Sequence, residues 1–309
     1  MLLDRFKRRR QHPVSLATLP GQAVAVQLAP GRDRPLLLQA RVLQSQAAST
    51  ERLDLLAHEL RLKRAPLQIL LEPGDYQLMQ TEFPALPAEE LKPALRWQVK
   101  DMLNQALDAS TLDILPPPTL GGARRSQGFV VAAANELVRT RMLQFRAYDS
   151  EVTVLDIAEL AQRNIADRLE VPEHATAVLS VTPAGCLLTV SREGELHFLR
   201  SFELGGALAQ DETARRERFD RLVLELQRSF DVLEHQFSFL SLSTLWLSPF
   251  AHAEELLGML IDALYLPVKA IALADLFDCS QCPLPAEPAQ QAALFHALGL
   301  ALRGLENQP

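Results

Sequence analysis

The chain has 309 residues, of which 48% are apolar and 22% charged, with a formal net charge of −7. That balance is the composition of a globular protein long enough for roughly two domains, and the acidic excess excludes general nucleic-acid binding, which depends on a basic surface. Three cysteines, Cys186, Cys279 and Cys282, make too few pairs for a disulfide scaffold and fit a reducing compartment, so a cytoplasmic protein is expected. No apolar run approaches the roughly 18 residues that span a bilayer.

The chain opens on a basic stretch that includes Arg5, Lys7, Arg8, Arg9 and Arg10 beside Leu2, Leu3 and Phe6. Pro13, Pro20 and Gly21 then interrupt it, so it does not read as a signal peptide. It is either a contact for anionic lipid or a solvated terminus. Short apolar segments follow at Val14–Thr18, Ala23–Leu28 and Leu36–Leu43, separated by Leu19-Pro20-Gly21 and Pro30-Gly31-Arg32-Asp33. These are three strands joined by turns. Leu53, Leu56, Ala57 and Leu60 then recur at helical spacing, opened by Ser49 or Thr50, and Leu67–Leu71 is a fourth strand.

The next segment differs in character. Leu91, Leu95, Val99, Met102, Leu103 and Ala106 predict a helix, with Pro93 in or before its first turn. Strands are expected at Thr111–Leu115 and Phe129–Ala134, joined by a Pro- and Gly-rich loop that holds Gly121-Gly122, then a helix near Leu137–Phe145 and a strand at Val152–Leu155. This is the content of a small inserted α+β subdomain at about 82–153. A helix carrying Ile157, Leu160, Ala161, Ile165 and Leu169 leads out of it.

The order of the first half then repeats. Strands are expected at Thr176–Val181, Cys186–Ser191 and Glu195–Phe202, with turns at Thr182-Pro183-Ala184-Gly185 and Arg192-Glu193-Gly194. Gly205-Gly206 closes this sheet segment. A long helix bearing Phe219, Leu222, Val223, Leu226, Phe230, Leu233 and Phe237 follows, then a strand at Leu242–Leu247. A helix around Leu256–Leu264, a strand at Pro267–Ala272 and a final helix at about 288–303 complete the chain. Two α/β halves, 1–175 and 176–309, should face each other across a cleft.

Three segments carry a resemblance. Leu91-Lys92-Pro93-Ala94-Leu95-Arg96-Trp97-Gln98-Val99-Lys100-Asp101, Glu225-Leu226-Gln227-Arg228-Ser229-Phe230-Asp231 and Ala297-Leu298-Gly299-Leu300-Ala301-Leu302-Arg303 resemble the PilM and MshI proteins of type IV pilus biogenesis. The mannose-sensitive-haemagglutinin (MSHA) branch is nearest, and the cytoplasmic part of GspL-type secretion proteins is more distant. The resemblance implies a two-lobed, actin-like (ribonuclease H-like) fold related to FtsA, with a small subdomain in the first half. It implies a place at the inner face of the inner membrane, in peripheral contact with it. The implied partner is the cytoplasmic N-terminal tail of a PilN- or MshJ-like single-span protein, with other pilus platform or motor proteins as further partners and no nucleic acid.

Actin-like ATPases hold nucleotide on two hairpins, each with an Asp followed by Gly, and on a Gly-Gly strand end. Aligned on that pattern, the first Asp position falls at Ala17 with Leu19 for Gly, and the second at Ser180 with Thr182 for Gly. The strand end runs Leu245-Trp246-Leu247-Ser248 into Pro249-Phe250. Bulky side chains stand where bare backbone is required, so a non-catalytic scaffold without cofactor or metal is expected. The alternative is a nucleotide-binding switch or weak ATPase on the same fold.

Trp97 is expected to anchor the core of the inserted subdomain. Arg96 and Lys100, four apart on one helix face, either belong to a partner groove or are solvated. Cys279-Ser280-Gln281-Cys282 lacks the second ligand pair that a zinc site needs, and the nearby Pro283 and Pro285 favour a loop with two surface or half-buried thiols. His58-Glu59 lacks the second histidine of a zinc-protease helix.

Overall fold

A computed structural model describes residues 12–119, 127–183, 185–203 and 211–306. The basic residues Arg5, Lys7, Arg8, Arg9 and Arg10, the pair Gly121-Gly122, Ala184 and the pair Gly205-Gly206 lie outside them.

The first half opens with the meander β1 (Val14–Leu19), β2 (Gln22–Ala29) and β3 (Leu36–Gln44), then α1 (Ser49–Glu59) and β4 (Pro66–Leu70). The β1–β2 turn is tight because Gly21 takes a φ of 72°, open to glycine at little cost. β4 lies parallel to β1. The inserted sheet is formed by β5 (Tyr76–Glu82), β6 (Ser110–Leu115) and β7 (Gln127–Ala134), in the order β5-β7-β6, with α2 (Ala88–Gln98) against it. α3 (Asn135–Leu143) leads back to β8 (Glu151–Asp156), and α4 (Ala158–Asp167) ends the half. The insertion thus starts earlier than expected, with a strand at Tyr76. β8, expected as part of the insertion, instead pairs parallel with β4 and completes the sheet β3-β2-β1-β4-β8.

The second half repeats the scheme with β9 (Ala175–Thr182), β10 (Gly185–Arg192), β11 (Glu195–Phe202), α5 (Glu212–Gln236) and β12 (Leu242–Leu247). α6 (Ala253–Ala263), β13 (Val268–Ala270), the short α7 (Leu273–Leu276) and α8 (Pro288–Glu306) follow, and the sheet order is β11-β10-β9-β12-β13. Asp211 caps α5 by accepting the amide of Ala214 at 2.8 Å, which satisfies one of the orphan donors of the first turn.

The helix expected to continue to Ala106 stops at Gln98, and a 3-10 turn takes over at Lys100–Met102. Pro93 sits inside α2 rather than in its first turn, where it deletes one rung of the hydrogen-bond ladder.

The layers exchange helices between the halves. α8, last in the second half, packs on β1, β2, β3 and β4 of the first sheet, and α4, from the first half, packs on β9, β10 and β11 of the second. One core cluster therefore runs from Val26, Leu28 and Leu37 through Ile165 and Ala301 to Val178. α1 covers the outer face of the first sheet and α5 and α6 that of the second. α4 and α8 meet closely at Gly299, where an added Cβ would lie 2.0 Å from the carbonyl oxygen of Ala161. Asn164 donates to the Gly299 carbonyl at 2.9 Å from the same side. The insertion also reaches the second half: Thr119 donates its amide and hydroxyl to Glu195 at 2.9 and 3.0 Å.

Candidate functional site

Two regions qualify, the hairpin ends between the halves and the junction of the insertion with the first half. At the first hairpin Ala17 is buried and Leu19 packs on the shared core. The hydroxyl of Thr18 donates to Glu72, whose carboxyl also faces Arg52 at 3.8 Å. Burial opposes ionisation of Glu72. Hydrogen bonds from Ser49 and Thr18 and the charges of Arg52 and Arg141 nonetheless hold it below the ordinary carboxylate range. The chain thus carries an acid near this hairpin, supplied by the β4–β5 connection and already paired with a guanidinium.

At the second hairpin Ser180 Oγ lies 3.2 Å from His296 Nε2, which lies 3.2 Å from Gln162 Oε1. Gln162 in turn donates to the carbonyls of Val178 and Leu187. Ser248 Oγ accepts the amide of Val181. Phe250 is buried and stands edge-on to Phe219, with ring centroids 6.2 Å apart, and Pro249 precedes it. The hairpin positions are committed to neighbours within the chain. Among the described residues no three His, Cys, Asp or Glu side chains come together as a metal site.

The insertion is pinned to the first half by buried polar groups. Arg141 on α3 donates to Ser49 Oγ at 2.8 Å and faces Asp75 at 3.5 Å. Tyr76 donates to Glu159 at 2.6 Å. Burial pushes both groups up from their ordinary values. Beside these contacts opens a cavity of about 160 Å³, bounded by Gly74, Tyr76, Gln77, Leu103, Asn104 and Ala133. Gln77 shapes it, donating to the Met102 carbonyl at 2.6 Å and accepting the Asn104 amide at 3.1 Å. The small side chains of Ala132, Ala133 and Ala134 leave backbone near its wall. Such a site suits a short segment with one small apolar anchor and polar groups that meet Gln77 and Asn104.

Neither Arg96 nor Lys100 lines this cavity. Arg96 donates to the carbonyls of Leu107 at 2.8 Å and Ser110 at 3.2 Å, which ties α2 to the loop before β6. Trp97 is 68% exposed, contrary to its expected place in the core, and the exposed Lys100 ammonium sits 5.8 Å from its ring centroid. α2 turns Leu95 and Val99 inward, and Trp97, two residues from each, faces away by roughly 200°. The roles expected of the two neighbours are therefore exchanged. Trp97→Ala should change stability by no more than about 0.5 kcal/mol. Arg96→Ala should cost about 1–2 kcal/mol through its two charge-assisted bonds. Urea unfolding followed by circular dichroism checks both.

Cys279 and Cys282 are half-buried free thiols in the loop between α7 and α8, in line with the loop expected for them. No helix among the described residues is long and apolar enough to cross a membrane.

Two α/β halves of like topology, crossed by α4 and α8 and bearing one insertion, define an actin-like protein. The chain is similar over its length to a solved structure described as the PilM-PilN type IV pilus biogenesis complex. Identity is 20%, 97% of this chain and 100% of that chain are covered, and the TM-score is 0.76. It is also similar to a protein of actin-like ATPase fold and unknown function from Bacteroides thetaiotaomicron VPI-5482, at 11% identity and a TM-score of 0.53, covering 96% of this chain and 99% of that one. At these identities the likeness is one of fold. No protein-family model matches the chain, and no curated protein does so.

Proposed function

We propose that this chain is a non-catalytic, actin-like scaffold of a type IV pilus assembly platform of the MSHA type. It holds the cytoplasmic N-terminal tail of a PilN- or MshJ-like membrane protein at the inner face of the inner membrane. The observation that carries the reading is the end-to-end likeness to the structure of a PilM-PilN complex, insertion included. Affinity for a short disordered tail must offset its ordering cost, which favours a preformed seat. The cavity held by Gln77 at the root of the insertion is that seat. The basic residues Arg5, Lys7, Arg8, Arg9 and Arg10 would add attraction to anionic lipid at about 1 kcal/mol each near the surface.

The residues at the hairpins support the non-catalytic reading. Thr18, Ser180 and Phe250 are engaged within the chain, and no Asp stands where a hydrated metal would be held. Magnesium ATP should therefore leave the melting temperature unchanged. A ligand at a hundred times its dissociation constant would add about 2.7 kcal/mol to apparent stability. A saturable rise in a thermal-shift titration would favour the nucleotide switch instead.

A further inference from the structure

The loop that carries Cys279 and Cys282 is fastened at both ends. At its start Phe277 is buried in the shared core beside Leu37. Asp278 extends the edge of β3: Leu37 donates its amide to the Asp278 carbonyl at 2.9 Å, and the Asp278 amide donates to Pro35 at 2.8 Å. Arg34 adds bonds to the carbonyls of Ala274 at 2.7 Å and Asp275 at 3.2 Å. At its end Gln291 on α8 donates to the Pro285 carbonyl at 2.8 Å. The strap thus joins a segment of the second half to the free edge of the first sheet.

Between the fastenings the strap bridges open space. It borders an apolar cavity of about 410 Å³ lined by Leu273, Cys279, Pro283, Leu284 and Gln291. Inside the strap the Asp278 carboxylate accepts the Ser280 amide at 3.0 Å, a local turn that folds the chain back after Cys279. Cys279, Cys282 and Leu284 all pack on the shared core cluster. The two thiols are three residues apart in a short loop with this turn between them, and Cys282 is close enough to act on the Cys279 thiol.

We propose that Cys279 and Cys282 form a reversible intrachain disulfide, which closes the strap into a short loop and tightens its hold on β3. The oxidant class is a low-molecular-weight disulfide such as oxidised glutathione. The thiolate of Cys282 attacks one glutathione sulfur, forming a mixed disulfide and expelling one glutathione thiolate. The thiolate of Cys279 then attacks the Cys282 sulfur and expels the second. Two cysteine thiols lose two protons and two electrons, and one glutathione disulfide becomes two glutathione thiols. Burial, with the Cys282 thiol beside it, pushes the Cys279 thiol up, in keeping with the resolving role. Cys186 is buried in β10, its thiol pushed up to about 12, and serves as the internal control.

The test equilibrates the full chain in graded mixtures of oxidised and reduced glutathione, traps free thiols and digests without reductant. Mass spectrometry locates the links, and hydrogen exchange is read on peptides containing Leu37 and Asp278. The expected result is a Cys279–Cys282 link with Cys186 still free. Exchange at both amides should then slow by about tenfold, the scale of closing so short a loop, and neither change should occur in Cys279→Ser or Cys282→Ser. Glutathione adducts without the link, links between chains, or a link that leaves exchange unchanged would overturn the proposal.

Discussion

Gly299→Ala should destabilise the protein by about 3 kcal/mol or more, at or beyond the upper end of ordinary overpacking. The new methyl carbon would lie 2.0 Å from the carbonyl oxygen of Ala161 and 3.2 Å from its Cα. These are backbone atoms of a facing helix, so no side chain can swing aside. Relief requires α4 and α8 to separate, and their contact is where the core common to both sheets is built. It would also strain the bond from Asn164 to the Gly299 carbonyl. The control is Gly258→Ala on the exposed face of α6, where an added Cβ meets nothing within 4 Å. There the gain in helix propensity should stabilise by up to about 1 kcal/mol. Urea unfolding of both variants measures the contrast, and loss of soluble protein for Gly299→Ala alone would agree with it.

The second large effect is a loss of stability in mild acid, traced to His296. Burial lowers its pKa to about 4 from an ordinary 6.5. Its hydrogen-bonding neighbours, Ser180 and Gln162, are neutral, and none supplies a carboxylate to favour the imidazolium. The unfolded chain therefore binds a proton below pH 6.5 that the folded chain refuses until about pH 4. By linkage, stability falls as the pH drops through that window and levels off below it. His296 as a residue is only partly buried, so the total loss should be about 2–3 kcal/mol. Glu72 acts in a different window. Its depressed carboxyl adds stability that is lost only as the pH falls below its ordinary value of 4.5. His296→Gln should flatten the profile between pH 6.5 and 4.5 and leave the lower limb in place. Denaturant midpoints measured across pH 4 to 7.5 separate the two.

Much of this architecture was legible in the sequence because strands and turns alternate plainly in the two meanders. Val14–Leu19 and Ala175–Thr182 are nearly continuous buried runs, as strands covered on both faces should be. β5 escaped because only Met79 of its seven residues is buried, so it shows no apolar stripe. β8 reads as a strand but not as part of the first sheet, since its parallel pairing with β4 spans the whole insertion and periodicity carries no information on partners. The exchange of α4 and α8 was hidden for the same reason.

At the candidate site the groups that fill the hairpin positions are not legible in the sequence. Glu72, Arg141 and His296 reach their partners from distant elements. Trp97 is different, because the signal for its exposure was present. With Leu91, Leu95 and Val99 defining the inward stripe, its place on the helical wheel already pointed outward.

If the scaffold seats a membrane protein's tail without nucleotide, the tail must cover the Gln77 cavity at the root of the insertion. The most direct measurement is hydrogen exchange of the full chain with and without a synthetic peptide of a PilN- or MshJ-like N-terminal tail, in the absence of nucleotide. Protection should appear around Gly74–Gln77, Leu103–Gln105 and Ala132–Ala134, and Gln77→Ala should weaken binding by about tenfold through loss of the loop it positions. Protection confined to residues 176–309, or binding that appears only when ATP is added, would contradict the account.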